Sequence, residues 1–148
     1  MRILLDANII VGLSEKGRRP IAAKAIKKLR ADGHELFIVP QVLYEFWVVA
    51  TRPENANGLG FSKETVAFVV MRALTVFEFI DDCAGVYTKW FDLVQAHNVL
   101  GKQAHDARLV AAMTIHGLDA ILTQNGRDLN RYKEIKVIDP RQASAASM

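Results

Sequence analysis

Only one cysteine, Cys83, stands in the chain, so no internal disulfide can form and a reducing interior is the simplest setting. Long apolar runs are missing too. Ile3 to Leu13 is mostly apolar, but Asp6 interrupts it, it is too short to cross a bilayer, and no small-residue cleavage site follows a clean apolar run. Val66 to Met71 is shorter still. No targeting segment is evident, and the expectation is a soluble cytoplasmic protein without a membrane partner. Neither sign of charge dominates: 19 Lys and Arg face 16 Asp and Glu, for a net charge of +3. That balance tolerates a polyanionic ligand without demanding one. Internal repeats, low-complexity segments and linkers long enough to divide two domains are also absent. What is present is 51% hydrophobic residues in 148, ample for the core of one compact domain.

Short apolar runs alternate with helical periodicity. Ile3–Leu5, "ELFIVP", "VFEFI", "AILT" and "IKVID" read as five strands. Between them, "RPIAAKAIKKLRADG" repeats Ile21, Ala25, Ile26 and Leu29 at helical spacing and stops at Gly33. "QVLYEFWVVATR" reads as a second helix and "PENANGLG" as a loop. Ser62 is a plausible N-cap for a helix running to about Ala73. Val86, Trp90, Phe91 and Val94 mark another helix, "HDARLVAAMTIHG" one more, and "QNGRDLNRY" a polar loop with room for one helical turn. Continuous apolar strands separated by helices predict a parallel sheet covered on both faces, an α/β fold. The domain is expected over residues 1–140, with 141–148, rich in small residues, as a disordered tail.

Three carboxylates occupy positions their patterns do not favour. Asp6 ends a buried strand, and removing a carboxylate from water is costly unless it is paired or bound to a metal. Glu45 shares a helix face with Val42, Phe46 and Val49, and Asp106 with Leu109, Val110 and Met113. Each has an ordinary explanation alone. An acid near a helix N-terminus suits the macrodipole, a strand-end aspartate can accept backbone N–H bonds, and Asp128 lies in a polar loop. Together they point to one site, because such sheets place their sites beyond the carboxyl ends of the strands. Thr123, Asn125 and Asp128 follow the fourth strand and open onto the same edge. Clustered carboxylates repel unless a cation joins them, and oxygen-only ligands favour Mg²⁺ or Mn²⁺ over zinc. His34, His97, His105 and His116 are scattered, without zinc spacing.

"LLDANII", "VLYEFWVVATR", "HDARLVAAM" and "ILTQNGRDL" together resemble a PIN domain, most closely the VapC-like ribonuclease toxins of toxin–antitoxin pairs. The resemblance runs from Arg2 to about Asp139. It implies a three-layer α/β/α fold and Mg²⁺- or Mn²⁺-dependent endonucleolytic cleavage of RNA leaving 5′-phosphate and 3′-hydroxyl ends. Carried over, Asp6 and Asp106 would be the principal metal ligands and Glu45 would complete the acidic cluster. Asn8 would orient the site and Thr123 support it. Many members carry an acid where this chain has Asn125; others have asparagine there and an aspartate three residues on, the arrangement of Asn125 and Asp128. Asp128 is therefore the candidate fourth carboxylate.

A partner antitoxin is implied as well, covering the site with an arginine among the acids, and a homodimer is expected. Trp47, Phe61 and Phe68 could form such a surface, although a core role is preferred for them. Basic residues must offset the acids toward RNA. Arg52, Lys102, Arg108 and Arg127 are nearest the motifs, whereas Arg18 and Arg19 are expected farther out and Lys24 to Arg30 on a solvated face. Three rivals remain. A phosphoacceptor receiver domain would use Asp81, Thr123 and Lys136, but wants a pair of acids after the first strand. A phosphatase would need an acid at Asn8. A non-catalytic PIN-like binding domain would have no use for the acids.

Overall fold

The computed structural model describes residues 1–145. Among them, five strands form one sheet: β1 (Arg2–Leu5), β2 (Glu35–Ile38), β3 (Glu78–Phe79), β4 (Ala120–Leu122) and β5 (Lys136–Ile138). Every pairing is parallel, in the order β3-β2-β1-β4-β5. Ile3, Leu4 and Leu5 are all fully buried on central β1. Successive strand residues point to opposite faces, so both faces of the sheet are covered, and the fold is the expected α/β/α arrangement.

The helices are α1 (Ala7–Ser14), α2 (Arg19–Ala31), α3 (Pro40–Thr51), α4 (Lys63–Val76), α5 (Val86–Ala96), α6 (Gln103–His116), α7 (Gly126–Leu129) and α8 (Pro140–Ala145). Ser62 caps α4, its hydroxyl accepting from Thr65 N–H at 3.2 Å. Gly117 ends α6 at φ 68°, a left-handed conformation that glycine adopts without a Cβ penalty. No helix of the described residues is long and apolar enough to cross a membrane.

Apolar Ile9–Val11, which the sequence pattern left unassigned, belongs to α1, where Ile9 and Ile10 enter the core. Three local readings change. Helix α4 continues to Val76, leaving β3 only two residues. Residues 141–145 are not a disordered tail. They belong to α8, which packs on α2 through buried Pro140 and Ala143, while Asp139 Oδ1 accepts from the Arg141 N–H at 2.7 Å. The rest of that stretch, 146–148, lies outside the described residues. Finally, Phe68 is 67% exposed and Trp47 40%, so neither has the core role preferred for it; Phe61 is partly buried.

Candidate active site

Beyond the carboxyl ends of β1 and β4 the chain leaves the sheet in different directions, into α1 and into α7. With β2 on one side of β1 and β4 on the other, this is the topological switch point where open α/β sheets bind ligands. Asp6 sits there. Its backbone N–H donates to Leu122 O at 3.0 Å, and its Oδ1 accepts from the Ala7 N–H at 2.7 Å at the head of α1. The strand-end capping role and a place in the cleft therefore coexist in one residue.

Thr123 holds the other oxygen. Its hydroxyl donates to Asp6 Oδ2 at 2.7 Å and accepts from Asn8 Nδ2 at 3.1 Å and from the Asn125 N–H at 3.0 Å. One donor and two acceptor positions are thus all used. Asn8 Oδ1 in turn accepts from the Gln124 N–H at 3.2 Å. The loop after β4 is thereby tied to the first turn of α1. Gly126 permits its tight packing, since a Cβ there would meet Val137 Cγ1 at 2.7 Å.

Glu45 and Asp106 arrive on α3 and α6. Their apolar neighbours Val42, Phe46, Leu109, Val110 and Met113 are buried, which turns both acids toward the same cleft. Asp6, Asn8, Arg18, Glu45, Asp106 and Asn125 line it, around a volume of about 280 Å³. Asp128 does not line this cleft. It lies with Arg127 in an adjoining one, and Asn125 borders both.

The three acids share an electrostatic problem. Burial lifts the Asp6 carboxyl above its ordinary value, against the lowering effect of the Thr123 and Ala7 hydrogen bonds. Burial also raises Glu45; Gln41 opposes it, and the charges of Asp6 and Asp106 add to it. Asp106 is raised by burial first, then by Asp6 and Asp128. His105, exposed beside this group, acts the other way on both Glu45 and Asp106. Among the described residues no three His, Cys, Asp or Glu side chains converge tightly enough to ring one ion. A cation here would lean on one or two carboxylates and on water, which is how Mg²⁺ is commonly held. An all-oxygen set of mutually repelling carboxylates fits such an ion chemically.

Two contributors were not visible as site residues in the sequence. Gln41 is buried and bridges α3 to α6: its Nε2 donates to Glu45 Oε1 and to His105 O, both at 2.8 Å, and its Oε1 accepts from Arg108 Nη1 at 2.9 Å. A polar residue in the first turn of α3, four before Glu45, was the available signal. Arg18 is the second. Expected farther out, it lines the acidic cleft from the turn between α1 and α2.

The basic candidates divide. Arg108 is paired with Asp82 at 3.1 Å and bonded to Gln41. Arg52 is turned onto its own loop, donating to Asn57 O at 3.0 Å. Lys102, at the start of α6, and Arg127 are exposed. The receiver-type reading fails geometrically: Asp81 follows edge strand β3, with β2 between it and β1, and Thr123 serves Asp6.

The family model described as the PIN domain matches residues 3–135. No curated protein matches the chain. Among solved structures, VapBC2 from Rickettsia felis bound to a promoter DNA fragment is similar with a TM-score of 0.70 and 17% identity, covering 94% of this chain and 98% of that one. A toxin–antitoxin complex from Klebsiella pneumoniae gives a TM-score of 0.64 and 22% identity, over 93% and 97%. Mycobacterium tuberculosis VapC20, described as a sarcin–ricin-loop cleaving toxin, gives 0.57 and 18%, over 80% and 86%. At such identities the likeness is one of fold.

Proposed function

The chain belongs to the PIN-domain family, and from that premise we propose that it is an endoribonuclease dependent on Mg²⁺ or Mn²⁺ and the toxin of a toxin–antitoxin pair. The observation that carries this reading is the meeting of Asp6, Glu45 and Asp106 in one cleft at the switch point of the sheet. Similarity in fold to toxin–antitoxin structures, one of them described as a toxin that cleaves the sarcin–ricin loop, supports it.

Asp6 and Asp106 would hold the ion, with Glu45 completing the acidic set and Asp128 contributing charge from the adjoining cleft. Bound there, the ion supplies Lewis acidity to a water and to a phosphate oxygen. Thr123 and Asn8 fix the orientation of the Asp6 carboxylate. Glu45, lining the same cleft, would take the proton of the attacking water. Attack at phosphorus would form one P–O bond and break that to the 3′ oxygen, which takes up a proton from solvent water; the products are 5′-phosphate and 3′-hydroxyl ends. Lys102 and Arg127 are the exposed cations assigned to the RNA backbone. The proposal extends to a cognate antitoxin and to a homodimer, for which exposed Trp47 and Phe68 supply apolar surface.

Incubation of the purified protein with cellular RNA, followed by mapping of the ends, tests the activity. The expected result is fragments with 5′-phosphates in Mg²⁺ or Mn²⁺ and none in EDTA. Intact RNA with either ion, or cleavage indifferent to EDTA, would contradict it.

A further inference from the structure

A cleft of three carboxylates repels the phosphates it is meant to cut, so cations bordering it must offset that charge. We propose that Arg18, with Arg141 beside it, forms a phosphate-holding subsite for the RNA chain next to the acidic cleft. The subsite rests on the nuclease reading above and says where the neighbouring phosphodiester is held.

Arg18 is a wall shared by two hollows. On one side it borders the cleft of Asp6, Glu45 and Asp106. On the other it lines a hollow of about 380 Å³ together with Gln124, Asp139 and Arg141. A nucleic acid chain entering the acidic cleft from this side passes the guanidinium.

The guanidinium is also held in register with the acids. Its Nη2 donates to Gln124 Oε1 at 2.7 Å, and the Gln124 N–H donates to Asn8 Oδ1 at 3.2 Å. Asn8 bonds Thr123, which bonds Asp6. Glu15 accepts from Nη1 at 3.1 Å. These bonds use part of a five-donor fork and leave N–H groups for an anion. Asp139, the one acid lining the second hollow, has its Oδ1 engaged by the Arg141 backbone N–H.

The helix end at this place adds positive charge of its own. Arg18 and Arg19 stand at the N-terminal end of α2, whose first turn holds no acid. The helix dipole is positive there and opposes them, and Arg141 comes up against the same end. A phosphate between Arg18 and Arg141 would be favoured by both guanidinium groups and by the dipole.

Binding of a fluorescent single-stranded RNA, measured in the Asp6→Asn background so that it is not cut, tests the subsite. Arg141→Ala is the clean variant, since its side chain has no recorded partner among the described residues; Arg18→Ala is the second. Each is expected to raise Kd roughly tenfold and to lower the slope of log Kd against log salt by about 0.7. In the wild-type background, Arg141→Ala should raise KM with kcat nearly unchanged. Lys27→Ala, on the exposed side of α2, sets the baseline for losing any surface charge. If RNA is still bound and cut but Arg141→Ala matches Lys27→Ala in Kd and slope, the subsite is overturned and the nuclease reading stands. A wild type that neither binds nor cleaves RNA overturns both.

Discussion

The Thr123 hydroxyl donates to Asp6 Oδ2 at 2.7 Å, joining the ends of two adjacent strands whose residues lie 117 positions apart in the chain. Asp6 is 8% exposed and Thr123 1%. Replacing Thr123 with valine keeps the shape and deletes the hydroxyl, leaving a buried carboxylate oxygen short of a donor. Urea denaturation should show a loss of about 1–3 kcal/mol. Cleavage should fall by roughly 10–100-fold, the usual effect of removing a residue that orients a metal ligand. Unchanged cleavage would separate Thr123 from the site.

Gln41 plays the corresponding part for Glu45. Gln41→Leu removes its three recorded hydrogen bonds and leaves His105 O, Glu45 and Arg108 each without one partner. Cleavage should drop while circular dichroism still reports the folded helices. A variant as active as wild type would show that Glu45 needs no such support.

Stability should depend on pH through the raised carboxyls. Unfolded, Glu45 and Asp106 ionise at ordinary values; folded, they ionise at higher ones. Between those values the folded state holds more protons, so their favourable contribution is complete below the unfolded pKa and is lost as pH rises through the folded one. Glu45→Gln retains an amide oxygen for Gln41 and removes the charge. In EDTA its Tm should exceed that of wild type by a margin that widens as pH is raised from about 4 to 8. Added Mg²⁺ should narrow the margin by stabilising wild type. A margin independent of pH and of the ion would contradict the assignment.

Much of this was legible in the sequence because apolar patterning is a strong signal. The five strands and the helices carrying Glu45 and Asp106 follow from it, and so does the edge of the sheet at which the acids gather. Helix α1 was not legible. Its run Ile9–Val11 is β-branched and has no acid in the first turn, so its local preference does not announce a helix; burial against α2 and α3 decides the matter. The place of Arg18 depends on α1 and was lost with it. Gln41 escaped notice because a lone amide at a helix start has no period to break. Helix α8 escaped because its small residues gain their stability from α2 rather than from any pattern of their own.

Asp128 tests the far side of the site. It stands in the adjoining cleft, yet its charge raises Asp106. Asp128→Asn should therefore reduce cleavage less than Asp106→Asn does, and should require more Mg²⁺ for half-maximal rate if it helps hold cation charge. Equal loss in the two variants would make Asp128 a full member of the acidic set.

The central claim is that Asp6, Glu45 and Asp106 form a metal-dependent centre that cuts RNA. Single-turnover cleavage of an end-labelled RNA in Mn²⁺, comparing wild type with folded Asp6→Asn and Asp106→Asn proteins, tests it most directly. Both variants should lose more than about 100-fold in rate, beyond the range for residues that only orient a ligand. Cleavage at the wild-type rate in either variant would place the chemistry elsewhere and contradict the account.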